Sequence, residues 1–141
     1  MFGKKKIERP KNPIGLVLYY YDEILENDLK RIFDYVLMKK KINIARNEKI
    51  FKEVLLKFES FKSDISKEKL KVDYRSDKAR DLIIDMINKT TEIIDLLQDR
   101  DRSNLYVDED LINKMVLLNE DIHQQRALIS KKLKDVECDY V

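Results

Sequence analysis

The spacing of two residues near the C-terminal end of the sequence suits metal chemistry. Glu120 and His123 are three residues apart, which on a helix places a carboxylate and an imidazole on one face, as di-iron sites in helical bundles require. Such sites need two of these motifs and further inward-facing glutamates, whereas His123 is the only histidine in the 141 residues. We therefore interpret His123 as a surface or seam-edge side chain and expect no metal and no other cofactor.

Nucleophilic catalysis has one candidate thiol, Cys138. Asp135 and Asp139 lie close to it in the sequence, and their negative charge disfavours the reactive thiolate. The sequence contains no glycine-rich phosphate loop, no Gly-x-Ser-x-Gly turn and no Cys-x-x-Cys pair. We therefore predict that the protein is not an enzyme. A single cysteine also precludes an intramolecular disulfide, which favours a reducing cytoplasm as its location.

Residues 1–13 carry a cluster of positive charge that could bind anions. One glycine and two prolines in this stretch predict an extended, flexible arm. Its basic side chains are Lys4, Lys5, Lys6, Arg9 and Lys11. Together with the three lysines at 39–41, they could contact nucleic-acid phosphates or an anionic membrane surface. A solvated run that aids solubility is the alternative, and we favour it because the whole chain has a net charge of only +2.

Three consecutive tyrosines, Tyr19, Tyr20 and Tyr21, could bind a protein partner. On a helix their side chains are about 100° apart, so at most two share a core face and at least one is partly exposed. Tyrosine is common at protein interfaces because it joins a large apolar ring to a polar tip. The sequence leaves open whether these rings bind a partner or pack within a helical core.

Helices are the elements that must position these side chains, because 126 residues without glycine or proline follow Gly15. Apolar spacing predicts a first helix over residues 16–39 and a second over residues 44–66, with a turn at the lysines between them. The first stripe contains Leu18, Leu25, Leu29, Ile32 and Val36, with Tyr21 and Phe33 alongside. The second contains Ile50, Val54, Phe58, Phe61 and Ile65, widened by Phe51 and Leu55.

A third helix is predicted to begin near Ser76 and Asp77, after a polar loop over residues 67–74. Its apolar residues alternate spacings of four and three, typical of a packed helix seam, and they are Ala79, Ile83, Met86, Thr90, Ile93 and Leu97. Asp108 could cap a fourth helix whose seam continues from Ile112 to Val136. Asn119 and Arg126 occupy two seam positions, where they either set the packing register or face solvent at the stripe's edge.

The four segments predict an all-α protein, with the basic flexible arm over residues 1–13 and a helical bundle domain over residues 14–141. The favoured architecture is an up-down four-helix bundle. An elongated three-helix coiled-coil-like bundle with a long first helix is the alternative. The first half of the chain is basic, whereas residues 76–141 carry ten basic side chains against fifteen acidic ones. This asymmetry favours packing of one half on the other, or self-association.

The favoured function is a cytoplasmic helical module that binds another protein as an adaptor, assembly factor or inhibitor, with a homodimer as one form. A composition rich in Lys, Ile, Asn and Asp would fit a bacterial, phage or mobile-element gene. The alternative is an accessory binder of nucleic acid or an anionic membrane surface that uses the basic arm. Salt distinguishes the two, because phosphate binding weakens steeply with salt and an apolar helix interface does not.

Overall fold

The computed structural model describes residue 10 and residues 12–38, 44–66, 74–98 and 109–135. Four helices make up the regular structure of these ranges, which confirms the predicted all-α class. The first helix consists of the α-helix Pro13–Ile24, a π-helical turn over Leu25–Leu29 and the α-helix Lys30–Leu37. The second, third and fourth helices span Ile44–Asp64, Tyr74–Gln98 and Glu109–Asp135.

The first helix begins three residues earlier than predicted and ends two residues earlier. The Oδ1 atom of Asn12 accepts hydrogen bonds from the backbone N–H groups of Ile14 (2.9 Å) and Gly15 (3.3 Å). Pro13 occupies the first helical position, where a missing N–H costs nothing. The arm predicted over residues 1–13 includes Asn12 and Pro13, whereas the structure places both at the start of the first helix. Helical structure ends at Leu37, and the predicted turn at residues 39–41 lies outside the described residues.

The second helix packs antiparallel to the first. The ring of Tyr20 stacks on Phe61 with centroids 6.2 Å apart, and the ring of Tyr21 stacks on Phe58 at 5.8 Å. Residue numbers thus rise along one helix as they fall along the other, so the chain reverses direction between them. This reversal is incompatible with the alternative in which residues 16–66 form one long helix.

The third and fourth helices are also antiparallel neighbours. Gln125 on the fourth helix donates a hydrogen bond to Asp85 on the third (2.7 Å). Further along these two helices, Lys78 of the third and Lys132 of the fourth line one shallow depression. The third helix begins at Tyr74, inside the predicted loop, and the residue predicted to cap the fourth helix, Asp108, lies outside the described residues.

Two more contacts complete the ring of helices. Lys62 on the second helix donates to Asn88 on the third (3.3 Å), and Arg126 on the fourth helix forms an ion pair with Asp22 on the first (2.9 Å). The order around the bundle is therefore first, second, third and fourth, with neighbours antiparallel. This is the predicted up-down four-helix bundle.

The core follows the predicted seams closely. All six seam residues of the third helix are buried, as are most of those on the fourth. Asn119 and Arg126, the two polar seam positions, are half-buried at the edge of the core. One buried cation, Arg80, is held on its own helix by Asp77 (2.9 Å) and Asp81 (2.8 Å).

None of the helices in the described ranges has the length and apolar composition that crossing a bilayer requires.

The π turn changes the predicted core face of the first helix. The apolar spacing placed Leu25 on the buried stripe, but Leu25 is only half-buried, and Ile24 is buried in its place. A π turn holds one residue more than an α turn, so the stripe advances five residues from Ile24 to Leu29. Leu25 is consequently rotated out of the centre of the bundle, toward the fourth helix.

Candidate functional site

A half-open groove of about 440 Å³ runs between the first and fourth helices, and we call it the first–fourth groove. Its apolar floor comes from the first helix and consists of Leu25, Phe33 and Leu37. Its polar rim consists of Asp22, Glu26, Lys30 and Asp34 on the first helix, with Asn119 and His123 on the fourth. This combination of an apolar floor with convergent polar groups is typical of a binding site.

The floor of the first–fourth groove exists because of the π turn. In an uninterrupted α-helix Leu25 would continue the buried stripe, whereas here it faces the gap beside Asn119 and His123. Phe33 and Leu37 follow after helical structure returns to the α form; Phe33 is buried and Leu37 is half-buried. Isolated π turns occur often at functional sites, where they re-aim side chains as this one does.

An ion pair closes the groove at one end. The guanidinium of Arg126 donates to both carboxylate oxygens of Asp22, from Nε to Oδ1 (3.2 Å) and from Nη2 to Oδ2 (2.9 Å). Arg126 also donates to the hydroxyl of Ser130. The side chains of Asp22 and Arg126 are 28% and 25% exposed, so the pair sits at the boundary of core and solvent. The polar seam residue Arg126 therefore bridges two helices and neutralises Asp22.

The other rim carboxylates remain close to solvent. Glu26 pairs with Lys30 at 3.6 Å across one helical turn, and more than half of each side chain is exposed. Asp34 is exposed on the same rim, eight residues beyond Glu26. Exposed pairs of this kind contribute little stability and give up their partner readily. The rim therefore offers negative charge to a ligand.

Acidic residues dominate this end of the bundle. Residues 22–38 contain five carboxylates against two basic side chains, and residues 109–123 contain four against one. Both segments are described by the structure, and both supply residues to the first–fourth groove. Carboxylates therefore outnumber basic side chains in the two stretches of helix that supply the groove.

Large apolar side chains extend the groove beyond its floor. A shallower depression shares Glu26, Lys30 and Asp34 with the groove and continues to Arg31, Tyr35 and Met38. Met38 is 59% exposed, and Tyr35 is also exposed. The apolar surface thus continues past the last turn of the first helix.

Glu120 and His123, the spacing that suggested a metal site, are both exposed on the fourth helix. Among the residues that the structure describes, no three His, Cys, Asp or Glu side chains are grouped so as to hold a metal ion. His123 instead lines the first–fourth groove, as a polar group beside its apolar floor. The absence of a functional metal and of catalysis remains a prediction, and Cys138 lies outside the described residues.

The three tyrosines are divided between core and surface. Tyr21 is only 1% exposed, and its hydroxyl lies 2.8 Å from that of Thr90 on the third helix. Burial raises the pKa of Tyr21 to about 12. Because Tyr21 is in the core, it is not available to a partner, and only Tyr19 and Tyr20 keep part of their surface.

Tyr19 and Tyr20 do not belong to the first–fourth groove. Their rings contact each other at 5.5 Å, and Tyr20 stacks on the second helix, on the side of the first helix away from the groove. The predicted anion-binding side chains of the arm lie outside the described residues. The groove was not predicted from the sequence, because the five-residue step in the apolar stripe of the first helix becomes visible only once Ile24 and Leu29 are known to be buried.

Fold and groove together define an all-α four-helix bundle with one side opened between its first and fourth helices. Comparisons with protein families, with characterised proteins and with solved structures find no match. The function of the chain is therefore inferred from the geometry and charge of the groove.

Proposed function

We propose that the protein is a non-enzymatic helical module of the cytoplasm that binds another protein, as an adaptor, assembly factor or inhibitor. The observation that supports this proposal is the first–fourth groove with its apolar floor. From Leu25 to Leu37 the floor extends about 18 Å along the first helix, at 1.5 Å per residue. Two exposed apolar side chains, Tyr35 and Met38, extend it further.

A protein ligand suits this shape better than a small metabolite does. The groove is only half enclosed, so a small molecule bound there would keep part of its surface exposed, whereas small-molecule sites usually bury most of it. A long open groove between two helices is a common receptor for a peptide that presents side chains along one face. An elongated apolar strip also gives a partner several apolar contacts, and a few well-buried contacts of this kind usually carry most of the binding energy.

Affinity purification from the organism that encodes the protein tests this proposal. We expect the wild-type chain to retain a protein partner at moderate salt after nuclease treatment, and Leu37→Asp to lose it. Leu37 is only half-buried, so the new carboxylate disrupts the floor with limited effect on the core. Leu56→Asp is the matched control, because Leu56 is 64% exposed on the second helix. Equal recovery of partners by both variants would contradict the proposal.

The alternative proposal, binding of nucleic acid or an anionic membrane through the basic arm, gives a different result in the same experiment. The bound nucleic acid or membrane would be released by nuclease or by raised salt, and neither leucine substitution would affect its binding. Removal of Lys4, Lys5, Lys6, Arg9 and Lys11 by substitution would abolish it. Analytical ultracentrifugation of the purified chain tests the further proposal of a homodimer.

A further inference from the structure

We propose that the first–fourth groove binds a basic amphipathic helix of a partner protein. This inference rests on the proposed function and specifies the chemistry of the ligand. Three features of the groove support it, namely its length, the hydrogen bonding of its walls and the charge of its rim.

The length of the floor matches a short helix. Its three apolar residues span about 18 Å, which equals about twelve residues of a partner helix at the same rise. Such a helix presents apolar side chains at positions i, i+4, i+7 and i+11 along one face. Those side chains would contact Leu25, Phe33 and Leu37, and one further turn would reach Met38.

The walls of the groove favour a helix over an extended peptide. Both walls are helices whose backbone groups are already hydrogen-bonded within the helix, so they offer no free edge to a strand. An extended peptide lying on the apolar floor would leave its own N–H and C=O groups unpaired, at a cost in free energy for each buried group. A helix satisfies these groups internally.

The charge of the rim determines the polar face of the ligand. The charged side chains that line the rim are three carboxylates, Asp22, Glu26 and Asp34, and one lysine, Lys30. Asp22 is neutralised by Arg126 and Glu26 pairs loosely with Lys30 (3.6 Å), whereas Asp34 is exposed on the rim. Lysine or arginine residues flanking the apolar face of a bound helix would lie beside these carboxylates. Acidic helices would be repelled, so the charge supplies selectivity as well as attraction.

The test uses three synthetic peptides of about 15 residues, with binding followed by fluorescence anisotropy. The first has leucines on one helical face and lysines elsewhere, the second replaces the lysines with glutamates, and the third scrambles the first so that its leucines surround the helix. We expect the first peptide to bind at least about tenfold more tightly than the other two, and less tightly as salt is raised.

A pair of neutral substitutions then locates the site. Glu26→Gln with Asp34→Asn should weaken binding of the basic amphipathic peptide about fivefold or more at low salt. Glu53→Gln with Glu59→Gln removes two exposed carboxylates from the second helix and should leave binding unchanged. Amide chemical shifts in titrations should change around residues 22–38 and 119–123.

Failure of this inference is separable from failure of the proposed function. Equal binding of the three peptides, no binding, or an equal effect of the two carboxylate pairs would overturn the basic amphipathic helix. If Leu37→Asp still released the native partner, the groove would remain the interface, with a ligand of different chemistry. If the peptides behaved as expected, the inference would stand, and retention of every cellular partner by Leu37→Asp would contradict the proposed function alone.

Discussion

At the scale of single residues, the most constrained group is the Tyr21 phenol. Thr90 donates its hydroxyl proton to the backbone oxygen of Met86 (2.9 Å), so the Tyr21 hydroxyl must be the donor in its bond to Thr90. The two hydroxyls are thereby satisfied in the middle of the core, between the diagonal first and third helices. An unpaired phenol there would cost about 1–3 kcal/mol.

Ionisation of Tyr21 should destabilise the fold at high pH. Burial raises the pKa of Tyr21 in the folded state to about 12, compared with 10.0 for an ordinary tyrosine. The neutral phenol therefore contributes its full stability below pH 10, and this contribution is lost as the pH rises through 12, up to about 2–3 kcal/mol. Urea unfolding at a series of pH values from 8 to 12 measures this decline in the free energy of unfolding.

Tyr21→Phe should show a flatter decline over the same pH range, because it lacks the titrating group. At pH 8 it should be less stable than the wild type by about 1 kcal/mol, through loss of the hydrogen bond to Thr90. Tyr35→Phe, at an exposed position, is the control and should keep the wild-type pH dependence. An identical decline in Tyr21→Phe would show that another group is responsible.

At the scale of helices, apolar spacing predicted the third helix best. Its seam repeats without interruption, and each of the six predicted seam residues is buried. Spacing failed in the first helix, because the π turn shifts the buried face by one residue and has no simple signal in residue type. The groove could not be predicted, since its walls come from helices about 90 residues apart in the sequence and meet only in the folded bundle.

Substitution along the third helix should reveal its buried face. Ile93→Ala should lower the free energy of unfolding by about 2–4 kcal/mol, because Ile93 is fully buried and the change leaves a cavity. Lys89→Ala should lower it by less than about 1 kcal/mol, because it removes one half-exposed ion pair with Asp85 (3.1 Å). Similar urea midpoints for the two variants would show that the face assigned to the core, which contains Ile93, is the wrong one.

At the scale of the whole molecule, the ion pair between Asp22 and Arg126 joins the first helix to the last. Asp22 lies on the rim of the first–fourth groove, so this pair bridges the two helices there. The bond has two parallel N–H···O contacts, the stronger geometry for a carboxylate with a guanidinium. It therefore links the two ends of the described chain.

A double-mutant cycle measures this link. Asp22→Asn and Arg126→Met should each lower the free energy of unfolding, with a coupling of about 0.5–1.5 kcal/mol between them. The coupling should shrink when salt is raised, because both side chains are partly exposed. The same cycle on Glu26 and Lys30, an exposed pair at 3.6 Å, serves as the weak reference. Additive effects at Asp22 and Arg126 would mean that the pair contributes nothing to closing the bundle.

The π turn also has a consequence at the level of the gene. The five-residue step between Ile24 and Leu29 contains one residue more than a continuous α-helical stripe needs. Removing one codon between them would restore the usual α-helical spacing of four residues. The buried apolar residues before and after this point would then lie on one continuous helical face. Leu25 would then lose the outward position that gives the groove its floor. A first helix with this groove and one whose apolar stripe runs in a single phase are therefore separated by an insertion of three nucleotides.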